Sequence, residues 1–194
     1  MRSSDAIEEA LDMIERTFYS AEGMAYLGED VTMVEHQLQA GALAIGSDDS
    51  IVAAALLHDI GHVIGREEGE DDATGALMNE RDAHHDVTGA RWLSRWFGPD
   101  VTEPVRLHVA AKRYLVATET GYAERLSEAS IHTLRLQGGP MSVAEVAAFE
   151  SLPSARQAVA LRRFDEAAKD ASIVAPQFSA HRDLLRRLMK RDEP

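Results

Sequence analysis

The chain of 194 residues carries 33 acidic against 20 basic side chains. The resulting formal net charge of −13 excludes nucleic acid as the main partner, because no uniform basic face is available. With 45% hydrophobic and 27% charged residues the composition is that of an ordinary soluble globular protein, and the length suits one domain over residues 1–194; the absence of cysteine excludes disulfides and thiolate ligands, so any metal must sit on imidazole and carboxylate, which suits Fe, Mn, Zn or Mg.

The N-terminus, Met1-Arg-Ser-Ser-Asp-Ala-Ile7, lacks the apolar core of a signal peptide. No apolar run approaches the roughly 18 residues of a membrane span, so a cytoplasmic protein without membrane contact is expected. Ser4 or Asp5 can cap a first helix ending near Tyr19, with Glu8 and Glu9 in its first turn. A loop with Gly23 and Gly28 leads to a helix from about Asp30 to Ile45. There Val31, Val34, Leu38 and Ala42 form one apolar stripe and Met33, His36, Ala40 and Leu43 a second, which predicts burial on both sides. The next helix starts near Asp49, carries the run Ile51–Leu57 into His58-Asp59 and stops near Gly61. Residues 65–80, acidic, glycine-bearing and without periodicity, read as an exposed connection, with a substrate lid as the alternative. Helices are then expected over about 85–97, 100–118, 130–137, 142–151, 154–171 and 177–191, punctuated by Pro99, Gly121, Gly138-Gly139-Pro140, Pro153 and Pro176. No strand alternation or repeat stands out, and the expected fold is all-α.

The dyad His58-Asp59 ends a strongly apolar run, where an unpaired buried carboxylate would cost several kcal/mol or more. A bound cation resolves that cost. His36, His85, His108 and Asp165 are further candidate donors. His85 shares a helical face with Gly89, Trp92 and Trp96 and points inward, whereas His84 lies about 100° away and is expected to be exposed. His108 follows the inward positions Val101 and Val105; Asp165 sits among Val159, Leu161 and Phe164, with a surface ion pair to Lys169 as its alternative. Six N/O donors can serve two metals when one carboxylate bridges, and Asp59 is the natural bridge, since His58 can bind one ion while Asp59 reaches both. The ordered set His…His-Asp…His…His…Asp resembles the ligand set of the HD-domain metalloprotein superfamily. That resemblance implies a helical bundle around a dinuclear site, with His36, His58 and Asp165 on one ion and His85 and His108 on the other.

Several stretches resemble a narrower branch, the mixed-valent di-iron HD oxygenases acting on 2-amino-1-hydroxyethylphosphonate. They are Tyr26-Leu-Gly-Glu29, Ala55-Leu-Leu-His-Asp-Ile-Gly-His62, His108-Val-Ala-Ala-Lys-Arg-Tyr-Leu115, Leu126-Ser-Glu-Ala-Ser130, Gln137-Gly-Gly-Pro-Met141 and Arg162-Arg-Phe-Asp165. The chemistry of these positions suits a phosphonate or phosphate. Lys112, four residues after His108, projects a point charge from the same face, with a snorkelling surface lysine as its alternative. Arg162, three residues before Asp165, can offer a planar fork, while Arg163 points to solvent. His62, Ser130, Thr133 and Gln137 add donors, Ser130 at a helix start where backbone N–H groups can be free. The resemblance implies two iron ions, Fe(II)/Fe(III), and O2-dependent cleavage of the C–P bond of (R)-2-amino-1-hydroxyethylphosphonate, or a close N-substituted analogue, to glycine and phosphate. It also implies that Glu29 pairs with the substrate ammonium and that Tyr26 occupies the substrate-binding iron until substrate arrives; both can instead be ordinary loop residues. A metal-dependent phosphohydrolase acting on a small phosphomonoester or nucleotide shares every ligand and anion donor but leaves Tyr26 and Glu29 without a role. A non-catalytic ligand-binding HD module is the third reading.

Overall fold

The computed structural model describes residues 4–21, 23–25, 30–67 and 84–189, with the backbone alone for 65–67. Helix α1 (Ser4–Phe18) buries Leu11, Ile14 and Phe18 at the spacing of one helical face. Thr32 caps α2 (Met33–Leu43) through a capping box with Glu35, an arrangement typically worth about 1 kcal/mol. The cap explains why α2 starts three residues later than the expected start near Asp30. Its two expected stripes are buried except on the last turn, where Ala42 is half-buried and Leu43 is 44% exposed.

Helix α3 (Asp49–Leu57) is buried over its whole run Ile51–Leu57 and ends just before the dyad. After a two-residue turn at His58-Asp59 the chain re-enters α4 (Ile60–Glu67), whereas the sequence suggested a stop near Gly61. Gly61 is a packing glycine rather than a breaker. A Cβ there would overlap the carbonyl oxygen of His85 and lie 2.8 Å from the nitrogen of Gly89, so α4 and α5 (His85–Leu93) cross backbone to backbone. The exposed connection or lid expected over 65–80 lies outside the described residues, apart from 65–67, which continue α4.

Pro99, with no N–H to leave unpaired, opens the long helix α6 (Pro99–Thr118). It is followed by α7 (Glu128–Leu136), α8 (Val143–Glu150), α9 (Ala155–Ala167) and α10 (Arg182–Leu188). Helix α9 packs along α6 and touches α2 and α3, and α6 also contacts α3 and α5. The main core joins α1, α3 and α4 to Leu93, Phe97, Val101, Val105, Leu161, Phe178 and Leu185. Each such side chain, fully buried, contributes about 1.5–3 kcal/mol. A smaller cluster of Leu115, Tyr122, Leu126 and Leu134 seats α7. On the outside, Arg182 of α10 pairs with Glu8, Asp12 and Glu15 of α1. Among the described residues there is no strand, only two isolated bridges, and no helix long and apolar enough to cross a membrane.

Candidate metal centre

Five elements bring six donors together. His36 comes from α2, His58 and Asp59 from the turn between α3 and α4, His85 from the start of α5, His108 from α6 and Asp165 from α9. They fall into two triads, His36–His58–Asp165 and Asp59–His85–His108, each with its ligating atoms within 4.8 Å of one another. Asp59 faces both. Its Oδ2 lies 3.3 Å from His58 Nε2 and 3.6 Å from His36 Nε2, and its Oδ1 lies 3.4 Å from His85 Nε2 and 3.5 Å from His108 Nε2. Asp165 Oδ1 completes the first group at 3.3 Å from His36 Nε2.

The imidazole tautomers decide what this arrangement needs. Nδ1 of His36, His58 and His108 lies 2.8, 2.9 and 2.6 Å from the carbonyl oxygens of Ala168, Ala55 and Val105. A carbonyl only accepts, so each Nδ1 carries the hydrogen and each neutral ring turns its Nε2 lone pair inward. His36 Nε2 then meets His58 Nε2 at 3.1 Å, and His85 Nε2 meets His108 Nε2 at 3.0 Å. In the His36–His58 pair both lone pairs converge, and they repel unless a cation sits between them. Two nitrogens each about 2.1 Å from one first-row ion lie about 3.0–3.4 Å apart, which fits the donors. Without a metal, protons must serve instead. Burial disfavours the His58 cation, but Asp59 and Asp165 override it and push its pKa up to about 10. Burial likewise raises Asp59 and Asp165, yet His58 beside the one and Arg162 beside the other hold both carboxyls well below the usual range. His85 is held well below its ordinary pKa by burial and by neighbouring His62, whose ring stacks on it at 3.8 Å.

One side of the centre is lined by cations and hydroxyls. Lys112 is buried and donates to Thr133 Oγ1 at 2.8 Å. Lys169 donates to Ser130 Oγ at 2.9 Å and Ser127 Oγ at 3.1 Å. Gln137 ends α7, and its buried Oε1 has no hydrogen-bond partner among the described residues. Gly121, Gly138 and Gly139, all at positive φ, form the two corners at which the α7 excursion leaves and rejoins the bundle.

The structure therefore brings together His36, His58, Asp59, His85, His108 and Asp165, with His62 stacked on His85, Lys112 on Thr133 and Ser130 beside Arg162, while Gln137 lies one turn after Thr133 at the end of α7. Arg162 is there too, buried and bonded to protein groups: Asp165, Glu166, Tyr122 and Ser130. Tyr26 and Glu29 lie outside the described residues. Two expectations change. The backbone N–H of Ser130 is not free, because Ser127 is the cap of α7 and accepts it at 3.1 Å. Asp165 is not in a surface pair with Lys169; it is 5% exposed and pairs with Arg162. Sequence reasoning missed Lys169 because it treated that residue as helical, one turn on from Asp165. Helix α9 ends at Ala167, and the turn after it swings Lys169 toward α7. Tyr122 and Glu166 were missed as well; the spacing of Glu166, four residues after Arg162, was the available signal.

The HD domain family matches residues 13–148. The chain is 44% identical over 166 residues to a [1-hydroxy-2-(trimethylamino)ethyl]phosphonate dioxygenase (glycine-betaine-forming) of Leisingera caerulea, covering 84% of this chain and 82% of the relative. It is 42% identical over 161 residues to a hydroxymethylphosphonate dioxygenase of Gimesia maris, covering 82% and 78%. An uncharacterized protein of Acanthamoeba polyphaga mimivirus is 36% identical over 169 residues, covering 84% and 74%.

Proposed function

Because the chain belongs to the HD-domain phosphonate oxygenase family, and is an HD-type dioxygenase that cleaves a carbon–phosphorus bond, we propose that its substrate is (R)-2-amino-1-hydroxyethylphosphonate or a close N-substituted analogue. O2 enters as co-substrate, and the products are glycine, or the matching N-substituted glycine, and phosphate. The observation that supports this reading most is the division of Asp59, one oxygen toward each triad, beside a face of lysines and hydroxyls. We infer two iron ions, Fe(II)/Fe(III), held by His36, His58 and Asp165 and by His85 and His108, with Asp59 shared. Bound iron would supply the electrons that activate O2 and a Lewis-acid seat for a substrate oxygen.

The residues of the chain have separable tasks. Lys112 and Lys169 offer two ammonium charges to the phosphonate dianion, and the hydroxyls they now hold, on Thr133 and Ser130, can turn to donate to it. His62 and Gln137 add donors at either end of this face. Lys112 and Ser130 are buried, which excludes competing water there and strengthens their contacts. By the family resemblance, Glu29 would receive the substrate ammonium and Tyr26 would be the residue that substrate displaces at the substrate-binding iron.

A second reading concerns the amine alone. The 44% identical relative is named for the trimethylamino compound, so the N-trimethylated phosphonate is the nearest alternative substrate. Glu29 argues for the primary amine, since a quaternary ammonium has no hydrogen to donate. The test is phosphate release, with and without O2, from the 2-amino, 2-trimethylamino and unsubstituted 1-hydroxyphosphonates. Release only with O2, fastest from the 2-amino compound, is expected. Release without O2 would return the phosphohydrolase to first place, and preference for the trimethylamino compound would move the substrate but not the reaction.

A further inference from the structure

Arg162 is 4% exposed and makes four hydrogen bonds to protein groups. One Nη donates to Asp165 Oδ2; the other donates to Glu166 Oε2 and, at 3.4 Å, to Ser130 Oγ. The Nε hydrogen goes to the hydroxyl of Tyr122 at 3.1 Å. Tyr122 is itself 2% exposed and packed with Leu115, Leu126 and Leu134. It follows Gly121, whose φ of +78° makes the corner that turns the ring inward. A guanidinium lying between two carboxylates, with a buried phenol behind it, has its charge already answered. Lys112 donates instead to the hydroxyl of Thr133, and Lys169 holds two serine hydroxyls with Glu166 3.8 Å away.

We propose that Arg162 is a positioning residue for the metal centre rather than a substrate contact, braced by Tyr122 and counter-charged by Glu166. It occupies Oδ2 of Asp165 and so leaves Oδ1 alone to face the His36–His58 group, where it stands 3.3 Å from His36 Nε2. That makes Asp165 a one-oxygen ligand of fixed orientation, and it draws negative charge away from the ion the carboxylate would bind. Outer-shell partners of this kind typically change metal affinity 10- to 100-fold when removed. Removing the Tyr122 hydroxyl would leave the buried Nε–H of Arg162 without an acceptor and free the guanidinium to tilt off Asp165.

The inference rests on the dinuclear reading above, and the experiment separates the two. Anaerobic titration with Fe(II), and separately with Mn(II), gives the number of ions and their affinities for the wild type, Tyr122→Phe, Arg162→Gln and Arg162→Lys. The midpoint potential of the iron-loaded protein and KM for the phosphonate are then measured on each. Two ions are expected in the wild type and one in Arg162→Gln. Tyr122→Phe is expected to keep two, one of them 10- to 100-fold weaker, with a shifted potential and a KM within about threefold of wild type. Arg162→Lys, a single point charge, should restore part of the loss. If Arg162→Gln does not fold, Tyr122→Phe carries the test alone, since it deletes one oxygen. Wild-type affinities and potential in the variants with KM raised tenfold or more would overturn the proposal and make Arg162 a substrate contact. A wild type that binds no pair of ions would overturn the dinuclear reading and this inference together.

Discussion

On the donor side of the site, three imidazoles are locked by Nδ1–H bonds to backbone carbonyls of helices packed in the interior. On the anion side, side chains hold side chains: Lys112 grips Thr133, and Lys169 grips Ser127 and Ser130, on a helix seated by one small apolar cluster. The first construction ties ligand geometry to the fold, so a donor moves only if a helix moves. The second can be retuned one side chain at a time.

The comparison breaks most directly at Asp59. Asp59→Ala is expected to lose both ions, measured as metal per protein, and to lose the stabilisation they give; with metal at a hundred times its Kd that is about 2.7 kcal/mol per site. Full metal occupancy in the variant would end the bridging assignment. Next comes the α4–α5 crossing. Gly61→Ala must push His85 away, costs about 1–3 kcal/mol by overpacking, and should weaken the ion at His85 and His108 more than the one at His36 and His58. Equal loss at both would show that the fold transmits strain to the whole centre.

The anion side should respond in the opposite way. Lys112→Ala and Lys169→Ala are expected to keep both metals and to weaken phosphonate binding tenfold or more each, from about 1.5–3 kcal/mol per charged contact. Metal loss in either variant would dissolve the distinction between the two sides. The smallest effect belongs to neither. His181 is buried, its Nε2 has no hydrogen-bond partner among the described residues, and burial holds its pKa below the ordinary value. The unfolded chain takes up this proton near pH 6.5 and the folded chain does not, so stability falls as pH drops below that point, by up to about 1.4 kcal/mol per unit. Denaturant melts of His181→Phe at pH 7 and pH 5.5 should show a flatter loss than wild type under the same metal conditions. Parallel curves would mean that the folded protein protonates His181 as readily as the unfolded chain.

Much of the donor side was legible in the sequence because it obeys simple rules. His85 shares a helical face with Gly89, Trp92 and Trp96, and the apolar run Ile51–Leu57 can only be interior. The break at His58-Asp59 was not legible, because continuing α3 and starting α4 give the same apolar periodicity. Gly61 misled for a related reason: a glycine that admits a neighbouring backbone has the same letter as one that ends a helix. Lys169 escaped because its position depends on where α9 stops, and helix ends are the least local feature of such a pattern. Arg162 was read from its spacing, one turn before Asp165, as a fork for the substrate dianion. Spacing could not say that Glu166 and Tyr122 would meet it there.

The excursion between the glycine corners also bears on how such an enzyme can diverge. Ser127, Ser130 and Thr133 meet lysines rooted in α6 and beyond α9, while Tyr122, at the first corner, reaches Arg162. An insertion or deletion between Gly121 and Gly138 would put both sets of contacts out of register at once. Substitutions at Ser130, Thr133 or Gln137 leave the path of the chain untouched. In this fold, novelty in the substrate is therefore accessible by changing letters in α7 and closed to changes in its length.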